Sequence, residues 1–338
     1  MGEILLFQNI VEQPFVEPYY EIIIDSSKVD STLTDFPLMV KLDSSFTGWS
    51  DLTQDSGYFT DEFENILDHE IEYYSQGIKA VYHVRIPSIS SSSNTKFRLY
   101  LNGFGYTNGN NPADVWDSSH VAVWNMYDGL RDSTNNNHDA SVTGIGFVDA
   151  TDTGKAAYFD GSNDYGIVPY SSDFKVQEFA ISTYAYLNDT GSWQSIIQYP
   201  YNDSSHSSPY FEWAIYIREQ SGGSTLHTRI DGVDDGRSAL VPEVYSRLTH
   251  LVIVLDDSSN QLRYYKDGNL IYTRTSPDSS IGYANNRVRI GSNASLSEDV
   301  HGTVEYIKFL NNSKNDAWFK AEYHSTKNSL ISNISRVN

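Results

Sequence analysis

The chain of 338 residues contains no cysteine, so disulfides and thiolate metal sites are excluded and its stability does not call for an oxidising compartment. Bases are scarce: 23 Lys and Arg stand against 44 Asp and Glu, a formal charge of −21. That balance argues against nucleic acid or an anionic membrane as partner, because both would repel the protein. No apolar run reaches the ~20 residues that a spanning helix needs. Neither a phosphate-cradling glycine loop nor a dinucleotide fingerprint is present. The first residues, Met1-Gly2-Glu3-Ile4-Leu5-Leu6-Phe7-Gln8, carry an acid where an export leader wants a base, and their apolar stretch is short; no leader is expected. Methionine is nearly missing as well, at 3 residues.

In its place stand 25 Tyr, 15 Phe and 6 Trp, side chains that suit pleated surfaces, with turn-forming Ser, Thr, Asn, Asp and Gly at short intervals. This predicts an all-β protein, and the length predicts two domains. Residues 1–18 read as an N-terminal arm: Pro14 and Pro18 bracket an extended stretch, and Ile4, Leu5, Leu6, Phe7 and Ile10 are too apolar for a free tail. A first β-sandwich is expected over 19–118. Its strands include Tyr20–Asp25, Phe36–Leu42 and Lys96–Leu101, and His69–Tyr74 with Lys79–Pro87 read as a hairpin around Ser75-Gln76-Gly77. A second domain is expected over 119–325, followed by a C-terminal tail over 326–338.

The most specific wording is Ala157-Tyr158-Phe159-Asp160-Gly161-Ser162-Asn163-Asp164-Tyr165, a strand, a tight polar turn and a second strand. Downstream come Phe179–Tyr186, His250–Asp256, Leu262–Ile271 with its Asp267-Gly268 turn, Val288–Gly291 and Gly302–Phe309. Asp316–Tyr323 reads as a short amphipathic helix against one end of the sandwich. In that order these segments resemble laminin-G-like domains of the concanavalin A type. The resemblance implies a jelly-roll-like sandwich that binds sugars or surfaces. Between residues 19 and 118, Lys28-Val29-Asp30, Phe36-Pro37, Leu67–Glu72, Val84–Ser88 and Asn111–Asp117 resemble an uncharacterised β-domain family. That family often precedes laminin-G-like domains in phage and bacterial surface proteins, and it brings no known activity.

Several residues are candidates for chemistry. Glu70 and Glu72 share a strand face, as paired hydrolase carboxylates would, but the second domain lacks the spaced acids of sandwich glucanases. A solvated strand face is the expected role of this pair. The histidines do not cluster, and no Ser-His-Asp set stands out. The laminin-G-like resemblance implies a structural calcium ion held by Asp160 and Gly161 in the turn and by Glu305 on a closing strand, where the family usually has Asp. The plainer role of Asp160 is to cap its own turn. For sugar binding, Tyr199, Tyr201 and Tyr210, interleaved with Asn202 and Asp203, offer aromatic faces and hydroxyl partners, while Trp193 and Trp213 read as core.

The expected function is therefore non-catalytic. The chain reads as a bacteriophage virion surface protein (a capsid decoration, fibre or receptor-binding component), held to other virion proteins by its arm and binding a glycan or host surface. Homo-oligomer formation is compatible with that placement. The alternatives are a bacterial secreted or cell-surface carbohydrate-binding protein and, behind it, a glycoside hydrolase.

Overall fold

A computed structural model describes residues 17–101, 110–205, 207, 210–220, 223–230, 238–275, 281–282 and 284–338. Almost all of the expected arm lies outside the described residues. The architecture is four antiparallel sheets in two facing pairs.

The first pair sets the sheet 331–337/19–24/95–100/58–61/66–67 against the sheet 33–43/79–89/69–75. Tyr19–Ile24 alternates half-buried and buried positions, as a strand with one face on a core should. Its inward Ile22 and Ile24 meet Phe36, Leu38, Phe59 and Phe97. The expected hairpin forms between His69–Ser75 and Lys79–Ile89, with Gly77 at φ +69 in the turn.

The second pair faces 146–149/155–160/301–310/179–187/248–256/261–266/269–275 against 238–240/223–230/211–220/194–200/288–290/165–168/141–143. Strand Phe179–Leu187 shows that the first sheet of this pair is buried on both faces. Phe179, Ile181, Ala185 and Leu187 enter the inner core, whereas Ala180, on the opposite face, belongs to the core shared with the first unit. Helix Asp316–Thr326 fills the space outside that face. Asn315 caps it, accepting from the Trp318 amide at 3.0 Å, and Trp318 meets Phe36 at 4.9 Å between ring centres. The helix therefore does not close one end of the sandwich; it is wedged between the two units.

One further expectation changes. The 326–338 stretch is not a tail, because Ile331–Val337 pairs antiparallel with Tyr19–Ile24 and closes the first unit. Leu330 just before it is fully buried, and Ile331 and Ile334 lie against the same core. The Asp160-Gly161 turn joins two strands as the sequence reads, and it does so across the sandwich: Lys155–Asp160 lies in one sheet and Tyr165–Val168 in the facing one. Gly161 at φ +89 and Asn163 at φ +61 take the chain across.

Candidate functional site

Glu70 and Glu72 do share a face, but that face is not solvated, and the second unit covers it. Glu70 Oε1 accepts from Ser133 Oγ at 2.6 Å, and Oε2 accepts from Trp116 Nε1 at 2.9 Å. Burial pushes its carboxyl above the usual range, more than these donors pull it down. Glu72 Oε2 lies 2.7 Å from His83 Nε2, and its Oε1 accepts from the Gly154 amide at 2.6 Å. Both carboxylates are thus committed to internal partners across the junction.

The loop around residues 150–154 is what Glu72 holds, and Glu305 holds it from the other side. The amides of Thr151, Asp152 and Thr153 donate to Glu305 at 3.2, 3.3 and 3.0 Å. Lys79 Nζ donates to the carbonyls of Ala150 and Thr153 at 2.9 and 2.6 Å. Asp152 takes Tyr184 Oη at 2.8 Å and Lys327 Nζ at 2.7 Å, with Lys41 Nζ at 3.4 Å. A Cβ on Gly154 would stand 2.5 Å from Tyr73 Cβ, so the approach needs glycine. This latch joins the two units and uses Glu305 in full. Burial, then the neighbouring Asp152, raises the Glu305 carboxyl.

A second buried knot looks superficially catalytic. Ser182 Oγ is 2.9 Å from His250 Nε2, and Glu322 lies nearby with Lys308 Nζ at 2.8 Å. In a hydrolytic triad the acid orients the imidazole from Nδ1 while the nucleophile meets Nε2. Here Glu322 Oε2 and Ser182 both approach Nε2, and His250 Nδ1 has no partner. All four side chains are buried beneath the helix. The arrangement fastens the helix to the sheet.

The proposed calcium ligands do not converge. Asp160 pairs with His301, four positions from Glu305 along the same strand, a separation of about 13 Å at ~3.3 Å per residue. The residues present do not fit one ion between the turn and Glu305. Asp160 caps its turn, accepting from the Ser162 amide at 2.8 Å. The acids that meet the turn are others: Asp164 Oδ2 accepts from the Asp160 amide at 2.7 Å and Asp299 Oδ2 from the Asn163 amide at 3.0 Å. Asp164 was readable in the turn sequence; Asp299, 135 residues on from it, was not. Among the described residues no group of three or more His, Asp or Glu is placed to hold a metal.

The loop that joins strands Gln194–Pro200 and Phe211–Gln220 does gather most of the sugar candidates. Tyr199 is not among them on the surface: it lies in the core, with its hydroxyl donating to Ala284 O at 2.8 Å. It sits within the strand, where its side chain points inward beside Trp213. Tyr201 is 43% exposed, and its amide donates to Tyr210 O at 3.0 Å. Tyr210 is half-buried at φ +73. Asn202 Oδ1 accepts from the amide and hydroxyl of Ser204, both at 2.8 Å. Asp203 pairs with Arg287 Nε at 2.8 Å, while its carbonyl accepts from Arg289 at 3.1 Å. Asn202 and Asp203 therefore shape the loop, and among its described residues Tyr201 is the exposed aromatic side chain.

No curated protein matches the chain. Among solved structures it resembles domain 4 of AbnA, a GH43 extracellular arabinanase from Geobacillus stearothermophilus solved with arabinotriose, at 18% identity and TM-score 0.44, over 60% of this chain and 97% of that one. A heptameric SAP-like pentraxin from Limulus polyphemus aligns at 12% identity and TM-score 0.35, over 43% and 69% of the two chains. The binding domain of Paraclostridial Mosquitocidal Protein 1 aligns at 14% identity and TM-score 0.46, over 60% of this chain and 51% of that one. The second unit is a concanavalin A-like domain: residues 160–319 match the family model described as the concanavalin A-like lectin/glucanases superfamily.

Proposed function

We propose that this chain is a non-catalytic bacteriophage virion surface protein whose lectin-like domain binds carbohydrate or a host surface through the 201–210 loop. The observation that carries binding over hydrolysis is the state of Glu70 and Glu72, the pair that retaining chemistry would need. Each carboxylate already accepts a hydrogen bond from the second unit, Glu70 from Ser133 Oγ and Glu72 from the Gly154 amide, so both are engaged as structural acceptors. Fixation of the loop by Asp203, Arg287 and Arg289 supports Tyr201 as a preorganised contact, because little side-chain or loop freedom is left to lose on binding. The virion placement is supported by the cysteine-free, acidic composition and by the order of motifs in the first unit. The arm around Ile4 to Phe15 is the proposed attachment to other virion proteins.

Two experiments test this reading. On a glycan array, Tyr201→Ala should lose at least one of the signals of the native protein, and an unchanged profile rejects the loop as the contact. Running that array with calcium and with chelator tests the calcium expectation: loss of signal in chelator supports an ion, and an unchanged signal removes it. Deleting residues 1–17 should abolish incorporation into particles while both units stay folded; normal incorporation rejects the anchoring role. Gene neighbours separate the virion reading from a bacterial carbohydrate-binding protein, capsid and tail genes pointing to the first and polysaccharide-use genes to the second.

A further inference from the structure

The two units meet tightly at the latch but leave a groove beside it. A cleft of about 560 Å³ lies between Glu70 and Glu72 on one side and the 125–137 segment of the second unit on the other. That volume is within the usual range for small-molecule sites, roughly 300–1,000 Å³. A second hollow of about 540 Å³ lies next to it and shares Ala113, Thr134 and Asn135 as lining, beside the short helix Pro112–Val115.

The lining has the composition of a sugar site. Tyr127, 42% exposed, offers an aromatic wall, and Tyr73 props its ring edge-on at 5.6 Å. Met126, buried at φ +61, turns the backbone between a recessed Asn125 and an outward Tyr127. At the floor, Asn125 Nδ2 makes only long bonds, 3.4 Å to Glu70 and 3.3 Å to Ser133, and its Oδ1 has no partner at all. A buried amide oxygen left unmet is costly, and it marks a floor whose polar groups the protein itself does not fully pair. Asn135 and Asn137 stand exposed on the rim. Carboxylates outnumber arginines in both hollows, four to one in the first and three to one in the second. That field repels uronic, sialic or sulfated sugars.

We propose that this groove is a second carbohydrate site, built jointly by the two units, which takes a short neutral oligosaccharide with one ring stacked on Tyr127. It shares no residue with the 201–210 loop and goes beyond the function assigned to that loop. The test is calorimetric titration of the full chain with neutral trisaccharides of glucose, mannose, galactose and arabinose, and with trigalacturonate as the anionic control. At least one neutral trisaccharide should bind, with Tyr127→Ala weakening it by about tenfold or more and Tyr201→Ala leaving it unchanged. Asn135→Trp, which sets an indole on the rim that lines both hollows, should abolish the same binding with the thermal melt intact. Trigalacturonate should bind at least about tenfold more weakly than the neutral ligand. The groove is refuted if no neutral trisaccharide binds at millimolar concentration, or if binding survives both Tyr127→Ala and Asn135→Trp. Loss in Tyr201→Ala alone would also refute it, while leaving the loop reading intact.

Discussion

Replacing Glu322 by Gln tests how the helix holds the molecule together. Glu322 is on the inner face of the helix, 5% exposed, with Lys308 at 4% and both Ser182 and His250 at 0%. Lys308 Nζ donates to Glu322 Oε1 at 2.8 Å; its other neighbours are the faces of Tyr306 and Trp116, at 4.4 and 5.4 Å. Glu322→Gln therefore strands a buried ammonium against ring faces. Breaking a buried pair from one side typically costs about 3–5 kcal/mol, a large share of the ~5–15 kcal/mol that stabilises a domain. The double replacement Glu322→Leu with Lys308→Met removes both charges and leaves Ser182 and His250 to bond each other, so it should be close to native or more stable. Urea unfolding at neutral pH measures both. A single variant within about 0.5 kcal/mol of native, or a double variant worse than the single, refutes the reasoning. Acid sensitivity follows from the same pair. Burial alone would raise the Glu322 carboxyl, but Lys308 and His250 outweigh it and hold the group well below the ordinary carboxylate range. Its contribution to stability is thus present above about pH 4.3, the unfolded value, and drains away as pH falls through the folded one. Glu322→Gln should lack that part of the acid transition. Glu70 and Glu305, raised by burial, act with the opposite sign, their contribution being lost as pH rises through their folded values.

At the latch, Gly154→Ala puts a methyl 2.5 Å from Tyr73 Cβ and 3.0 Å from Glu72 Oε1; it should cost about 1–3 kcal/mol in urea unfolding, and a neutral effect would show that the latch yields freely. Removal of residues 330–338 takes away a buried Leu330 and the strand beside Tyr19–Ile24. The first unit should then melt earlier and self-associate through its bared edge, seen by light scattering; an unchanged melt and a monomeric profile would make that strand dispensable.

Much of the sandwich was legible because its signals are local. Phe179–Tyr186 and His250–Asp256 read as strands from their own side chains, and they pair with each other in the structure. Asp267-Gly268 read as a hairpin turn, and both residues take positive φ, +49 and +75, between strands that pair directly. Tyr199 shows where local reading stops. Two positions separate it from Tyr201, yet the strand extends through Pro200, so Tyr199 faces the core while Tyr201 begins the loop. Composition places both in an aromatic, polar stretch, and only the strand's end decides which is wet. Ile331–Val337 carries a weak strand signal, because its Ser, Asn and Arg dilute the alternation, as befits an outermost strand with half-buried and exposed positions alone.

The acids mark the deeper limit. The shared face of Glu70 and Glu72 was visible from spacing, but their environment depends on Ser133 and Gly154, 63 and 82 residues away. The same holds for Glu305, whose three amide donors lie more than 150 positions earlier. A carboxylate on a strand carries no local sign of whether water or a second unit covers it, because either environment can satisfy the same oxygens. In this protein the covering partner turns three acids that spacing or resemblance nominates for chemistry into fasteners. Among the aromatic side chains those fasteners leave exposed are Tyr201, on a loop pinned by Asp203, and Tyr127, on the wall of the cleft beside the latch.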